Sequence, residues 1–278
     1  MNDTTKFFFI DESGDKGYSN SKPRDGLGVM AGFLIDDWDL PKLKIRISEG
    51  LSTLNLNQSN KLHMAELDDT QKTNAVNLVA SLFREFSLNF IYSAIYTESY
   101  KDFVGPSDKK ELLHSQLLQN NLISALTLLT TLIEKFRVNV NLKIVSDNID
   151  AGVLKIMEKE CENIVNYMNN APNKRYYSKG KYIETQVVNA SPDPRPKNGK
   201  FHVEMSVETS EITFISDVLA YTTFQHLMEF MKENEGLSLN TTKSISGHPL
   251  EEFIALVYPP ELEDENIFGK VLGPGRGK

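Results

Sequence analysis

Short apolar runs alternate along this chain with longer segments in which apolar residues recur every three or four positions. The runs are rich in aromatic and β-branched residues, and they predict strands at 6–11, 27–36, 87–97, 138–146 and 201–207. The periodic segments predict helices at about 39–54, 70–86, 108–136, 151–169 and 211–232, with a last short helix at 249–257.

This order of elements predicts an α/β fold with a mixed sheet flanked by helices. The first three strands are expected to pair antiparallel, and the later helical crossovers make the remaining pairings parallel. We expect a single domain over residues 1–278. Its additions are a helical insertion at 37–86 between the second and third strands, a basic loop or hairpin at 171–200, and a C-terminal extension at 233–278.

Overall composition narrows the class of protein. Hydrophobic residues make up 40% of the chain and charged residues 24%, which is typical of a soluble globular protein. The net charge of −8 excludes a generally basic surface for nucleic acid, and the lone Cys161 excludes an internal disulfide. No apolar stretch is long enough for a membrane span and no signal-peptide pattern is present, so we expect a cytoplasmic protein without a membrane partner. The composition leaves a homo-oligomer or a partner protein open.

Acidic residues follow two of the predicted strands. The first strand runs directly into Asp11-Glu12-Ser13-Gly14, and the fourth ends at Asp147. If these strands lie side by side and parallel, both aspartates share one end of the sheet. Two close carboxylates repel each other unless a cation joins them, and Mg²⁺ or Mn²⁺ suits oxygen ligands best.

A third aspartate, Asp217, interrupts the apolar pattern of the last long helix. An ionised buried carboxylate needs a partner, which a metal, an arginine or a backbone group can supply. The common alternative for an aspartate at a strand exit is a turn or a helix N-cap, and Asp147 fits that interpretation well. The joint pattern of Asp11, Asp147 and Asp217 is stronger than any one of its members.

Four other residues are weaker candidates for the same site. Glu12 points to the opposite face if the strand continues, and joins the site only if the chain turns there. His63 and Glu66 share one face at helical spacing, although an ordinary helix start is the favoured interpretation. Glu12, Glu66 and Glu208 are candidates for a fourth carboxylate, and His63 for proton transfer or phosphate positioning.

A basic segment lies between the fourth strand and the last long helix. Residues 172–200 contain seven lysines or arginines against two acidic residues. Tyrosines are interleaved with these cations, a composition that holds phosphates and stacks on unpaired bases. A solvated surface hairpin is an equally good interpretation. The nucleic-acid-binding candidates are Lys174, Arg175, Tyr176, Tyr177, Lys179 and Lys181.

Three short motifs resemble those of the domain-of-unknown-function family 3800. They are Phe-Phe-Ile-Asp-Glu-Ser-Gly-Asp at 8–15, Leu-His-Met-Ala-Glu-Leu at 62–67, and Glu-Thr-Ser at 208–210 followed by Ser-Asp-Val-Leu-Ala-Tyr at 216–221. The family often has Gln-x-Ala-Asp where this chain has Phe-Ile-Ser-Asp at 214–217. The resemblance implies an RNase H-like fold with metal-binding carboxylates on the first strand, the fourth strand and the last helix, here Asp11, Asp147 and Asp217.

The resemblance also implies a bacterial or mobile-element setting, such as host defence. Together with the carboxylates, it predicts a metal-dependent nuclease that hydrolyses phosphodiester bonds in DNA or RNA. Two alternatives stay open: a non-catalytic module on the same fold that binds nucleic acid or protein, and a phosphohydrolase acting on small nucleotides. Serine-hydrolase, P-loop and dinucleotide-binding motifs are absent from the sequence.

Overall fold

The computed structural model of the chain describes residues 2–14, 27–54, 56, 62–96, 110–147, 149, 151–170, 195–233, 242–255 and 269–272. The strands are β1 (Asp3–Gly14), β2 (Leu27–Asp36), β3 (Phe90–Tyr96), β4 (Asn139–Ser146), β5 (Phe201–Val207) and β6 (Gly269–Leu272). The helices are α1 (Leu40–Thr53), α2 (Asp69–Phe86), α3 (Lys110–Phe136), α4 (Ala151–Asn169) and α5 (Glu211–Glu233). Three short 3₁₀ turns cover Met64–Glu66, Thr242–Ile245 and Glu251–Phe253.

The strands form one mixed sheet in the order β5-β4-β1-β2-β3-β6. Strand β2 pairs antiparallel with both β1 and β3. Strand β1 pairs parallel with β4. Strand β4 pairs parallel with β5, and the connection between these two strands contains α4. The predicted mixed α/β sheet is therefore confirmed, including the adjacent and parallel placement of the first and fourth strands.

Helices cover both faces of the sheet, and β1 shows how the sequence fills each side. Phe9 packs with α1, α2 and α5 on one face, which we call the α5 face. Phe8 and Ile10 pack with α3 and α4 on the other, the α3 face. A central strand that is buried on both sides must be apolar throughout, and this explains the continuous run from Phe7 to Ile10.

Helices α1 and α2 lie between β2 and β3 in the chain and pack on α5. Pro41 stands in the first turn of α1, where its missing N–H breaks no helical hydrogen bond. Asp68 and Gln71 form a capping box at the start of α2, each side chain accepting a hydrogen bond from the backbone N–H of the other. These signals fix the ends of two helices that cover the α5 face.

The structure differs from the sequence prediction at both ends of the chain. Strand β1 continues to Gly14 because its polar residues still pair with β2, ending at Gly14 opposite Gly28. The helix predicted at 249–257 is wrong over its described residues, 249–255, where a 3₁₀ turn forms at Glu251–Phe253 and Ile254 bridges to Phe90 beside the sheet. Strand β6, which was not predicted, pairs parallel with β3. Among the described helices, none is long and apolar enough to cross a membrane.

Candidate active site

Asp11 and Asp147 lie at the same end of adjacent parallel strands. The register pairs Ile10 of β1 with Ser146 of β4, and each aspartate is the next residue of its chain segment. Both are buried, with 8% of Asp11 and 7% of Asp147 exposed. The sequence prediction that these two residues share one edge of the sheet is therefore confirmed.

Alternation along β1 decides which way Asp11 faces. Phe7 and Phe9 pack on the α5 face, and Asp11 continues the same alternation. Its Oδ1 accepts a hydrogen bond from the backbone N–H of Glu12 at 2.8 Å. Helix α5 packs on β1 and β2 over this face, so Asp11 lies on the side of the sheet that carries Asp217.

Asp147 is held by the connection that leads into α5. The hydroxyl of Thr209 donates to Oδ1 of Asp147 at 2.8 Å. The backbone N–H of Glu208 donates to the carbonyl oxygen of Ser146 at 3.0 Å, which extends the pairing of β4 and β5 by one step. These bonds fix the start of α5 beside the end of β4.

Asp217 lies on the inner side of α5, with 14% of its side chain exposed. Its Oδ2 accepts a hydrogen bond from the backbone N–H of Met64 at 2.7 Å. The ring Nδ1 of His63 lies 3.9 Å from the same oxygen. The sequence left a metal, an arginine or a backbone group as partners for this carboxylate, and the structure shows that it uses a backbone N–H.

The 3₁₀ turn that carries Met64 brings His63 to the site and leaves Glu66 at the surface. His63 is about one-third exposed, so its ring faces both Asp217 and solvent. Glu66 is exposed at the end of the turn. The motif at 62–67 thus contributes an imidazole and a backbone donor beside the carboxylate of Asp217.

Glu12 and Glu208 take different positions. Because β1 continues to Gly14, Glu12 follows Ile10 in alternation and lies on the α3 face, away from Asp217. Glu208 is exposed at the end of β5, on the same edge as Asp147. The structure therefore gathers Asp11 and Asp147 at one edge, places Asp217 with His63, and separates Glu12 from both groups.

Gly14 lets β1 leave the sheet beneath α5. Its φ is +84°, a backbone conformation that favours glycine, and a Cβ there would collide with the carbonyl oxygen of Leu27 and the ring of Phe224. The close approach packs the end of β1 against α5. The glycine in the acidic motif thus has a packing role that is independent of chemistry.

The basic candidates Lys174, Arg175, Tyr176, Tyr177, Lys179 and Lys181 lie outside the described residues. The described flanks of this segment can be located. Asn169 hydrogen-bonds the backbone of Phe201 at the start of β5, and Glu134 at the end of α3 accepts bonds from Lys197 and Asn198. The N–H of Lys197 is the main cause of a lowered pKa at Glu134. Both flanks therefore lie at the end of the sheet opposite to Asp11 and Asp147.

Sequence reasoning did not assign a role to Thr209 or to the N–H of Met64. A backbone donor has no sequence signature, because any residue except proline supplies it. Thr209 is two residues from the start of α5, where a hydroxyl normally indicates a helix cap. Its bond to Asp147 depends on the pairing of β4 with β5, which a local pattern does not reveal.

Among the described residues, no group of three or more His, Cys, Asp or Glu side chains is arranged to hold a metal ion. The pair at the sheet edge still fits the chemistry of Mg²⁺, which commonly binds one or two carboxylates and completes its shell with water and phosphate oxygens. Asp11 and Asp147 are the residues that would hold it. Asp217 is held by a backbone bond, and a carboxylate accepts further bonds beyond one.

No protein-family model matches the chain, and neither a curated protein nor a solved structure matches it. The fold and the site together define an α/β protein with two buried carboxylates, Asp11 and Asp147, at one end of a mixed sheet. A third carboxylate, Asp217, lies on α5, the helix that covers one face of that sheet.

Proposed function

We propose that this chain is a divalent-metal-dependent nuclease with an RNase H-like fold, hydrolysing phosphodiester bonds in DNA or RNA. The observation that carries the proposal is the parallel register of β1 and β4, which ends in Asp11 on one strand and Asp147 on the next. Asp11 lies on β1, Asp147 directly follows β4, and Asp217 lies on α5. These positions agree with those implied by the resemblance to family 3800. That family is proposed as the relative of this chain.

Two buried carboxylates on neighbouring strands repel each other, and a bound cation would offset that repulsion. Mg²⁺ or Mn²⁺ would supply a Lewis acid that activates water and stabilises the leaving oxygen. Asp11 and Asp147 would hold the ion, and Thr209 keeps Asp147 oriented through its hydroxyl. Asp217 and His63 lie on the same face, where the exposed side of the imidazole is available for positioning a phosphate or moving a proton.

The basic segment would contribute electrostatic attraction for the nucleic acid. Its described flanks lie at the end of the sheet opposite to Asp11 and Asp147. The 24 residues between these flanks, 171–194, have a maximum chain length of roughly 80 Å, compared with about 23 Å for the seven residues of β5. Contact with a substrate that extends from the site is therefore geometrically allowed.

The test is cleavage of labelled single-stranded and duplex oligonucleotides in Mn²⁺ by the wild-type chain, Asp11→Asn and Asp37→Asn. Asp37 is exposed just beyond β2, at the opposite end of the sheet from Asp11, and provides a control with the same chemical change. We expect Asp11→Asn to lose cleavage and Asp37→Asn to retain it, with both variants folded by circular dichroism. Full activity in folded Asp11→Asn would refute the proposal.

One observation favours a second candidate, a non-catalytic module that binds nucleic acid or protein. It is that the described residues contain no group of three metal-binding side chains. Under that alternative, the wild-type chain binds oligonucleotide and cleaves neither strand in Mg²⁺ or Mn²⁺. A substrate panel that adds mononucleotides separates a small-nucleotide phosphohydrolase from both candidates.

A further inference from the structure

A groove leads away from the Asp217 side of the site. It has a volume of about 420 Å³ and lies between α2, α5 and the turn at Gly247–Pro249. This volume is in the range of pockets that bind small ligands and single nucleotides. Met64 lines the groove, and its N–H binds Asp217, so the groove begins beside a proposed catalytic carboxylate.

The lining of the groove includes an aromatic ring paired with a cation. Tyr221 follows Asp217 by four residues on α5, one helical turn, so both side chains project from the same side of the helix. The ammonium of Lys72, from α2, lies 5.4 Å from the centre of the Tyr221 ring. Both residues are half-buried, so each keeps part of its surface open to the groove.

Polar side chains complete the lining. Asn77 and Gln225 are exposed on α2 and α5, and each amide offers a donor and an acceptor to the edge of a base. Glu229 lies further along the groove and is the opposing charge. The ammonium of Lys72 lies over one face of the Tyr221 ring, which leaves the remaining exposed ring surface for a base. Single-stranded nucleic acid uses this combination, since bases stack on aromatic rings and phosphates pair with cations.

We propose that this groove binds the single-stranded nucleotides next to the cleaved bond, with one base on Tyr221 and a phosphate on Lys72. The proposal rests on the proposed function for its placement beside a catalytic carboxylate. A base within a duplex is stacked on both faces and cannot lie on a protein ring, so the groove selects unpaired nucleotides. The substrate is therefore single-stranded, or is opened locally at this position.

Fluorescence anisotropy with a labelled 12-nucleotide oligothymidylate tests the groove directly, using the Asp11→Asn chain so that the probe stays intact. Tyr221→Leu removes the ring, and Tyr221→Phe keeps it. Phe136→Leu is the matched control, because Phe136 is exposed at the far end of the sheet and has the ammonium of Lys135 5.2 Å from its ring.

We expect Tyr221→Leu to weaken binding of the oligothymidylate on the order of tenfold, while Tyr221→Phe and Phe136→Leu bind as the parent does. Lys72→Gln is expected to lower the slope of log affinity against log salt by about 0.7, the loss of one phosphate contact. Because Tyr221 also packs on the core, its variants are checked by thermal unfolding. If Tyr221→Leu does not fold, the salt dependence of binding by Lys72→Gln tests the proposal instead, and an unchanged slope would overturn it.

Three outcomes would overturn the proposed binding of single-stranded nucleotides in the groove. The first is no binding of the oligothymidylate, and the second is unchanged affinity in folded Tyr221→Leu. The third is a duplex that binds as tightly as the oligothymidylate and loses the same affinity in Tyr221→Leu. Failure of the nuclease proposal gives a different pattern, in which the wild-type chain cleaves nothing and Tyr221→Leu still loses binding. Cleavage by the wild type together with unchanged binding in Tyr221→Leu refutes the groove alone.

Discussion

Acidification should destabilise the protein through His248, a buried histidine behind α5. Only 4% of it is exposed. Its Nδ1 accepts a hydrogen bond from the N–H of Leu250 at 3.0 Å, so Nε2 carries the proton and faces the hydroxyl of Thr223 at 3.3 Å. Burial, and to a smaller extent neighbouring His226, lowers the pKa of His248 from 6.5 to about 3. The fold therefore requires a neutral ring.

The pKa of His248 is about 3 in the folded protein and about 6.5 in the unfolded chain. Because the folded pKa is depressed, the unfolded chain binds the proton first as the pH falls below about 6.5. The stabilising contribution is therefore present at neutral pH and is lost progressively down to about pH 3. One proton difference changes the free energy of unfolding by about 1.4 kcal/mol per pH unit, so about 2 kcal/mol is lost between pH 7 and pH 5.

Urea unfolding at pH 7, 6 and 5, followed by circular dichroism, measures this loss in the wild type and in His248→Gln. The variant is expected to be less stable at pH 7, because it perturbs a packed site, and to lose less stability on acidification. All other titrating groups are common to both chains, so the difference between their slopes isolates His248. Equal slopes in the two chains would show that His248 does not cause the loss of stability in acid.

Three further predictions concern the site and the core. Asp217→Asn keeps an acceptor for the N–H of Met64 and should unfold at nearly the wild-type urea concentration. Asp217→Leu leaves that donor unpaired and should lower the free energy of unfolding by about 1–3 kcal/mol. Equal stability of the two variants would contradict a stabilising role for this hydrogen bond. Gly14→Ala should cost more than about 1 kcal/mol in the same assay, because of the positive φ and the contact with Phe224, and an unchanged midpoint would contradict this. Burial, together with the nearby glutamates, raises the pKa of Cys161 to about 12. A thiol reagent at pH 8 should therefore label Cys161 only after the chain unfolds. Rapid labelling of the native chain would contradict this expectation.

The central strands could be predicted closely because burial on both faces forces a continuous apolar run. Strand β2 has the predicted bounds 27–36, and β5 has the predicted bounds 201–207. The end of β1 was harder, since Glu12 and Ser13 are polar and pair with β2 only because of the tertiary register. Strand β6 was missed for a similar reason: its pairing with β3 depends on residues far away in the chain.

In the candidate site, too, some residues could be placed from the local sequence and others only from tertiary contacts. Asp11 and Asp147 could be predicted to meet because each directly follows an apolar strand, and the sheet edge then fixes their positions. His63 was assigned mainly to an ordinary helix start, and its approach to Asp217 is made by a 3₁₀ turn packed on α5. Local spacing cannot reveal such contacts, because the two residues are distant in sequence and meet only after α2 and α5 have docked.

The proposed function requires above all that Asp11 and Asp147 jointly hold a divalent cation. A crystal soaked in Mn²⁺ and measured for anomalous scattering at the manganese edge tests it most directly. We expect an anomalous peak between the carboxylates of Asp11 and Asp147, and loss of that peak in crystals of Asp11→Asn. Ordered carboxylates with no peak between them at saturating Mn²⁺ would contradict the claim.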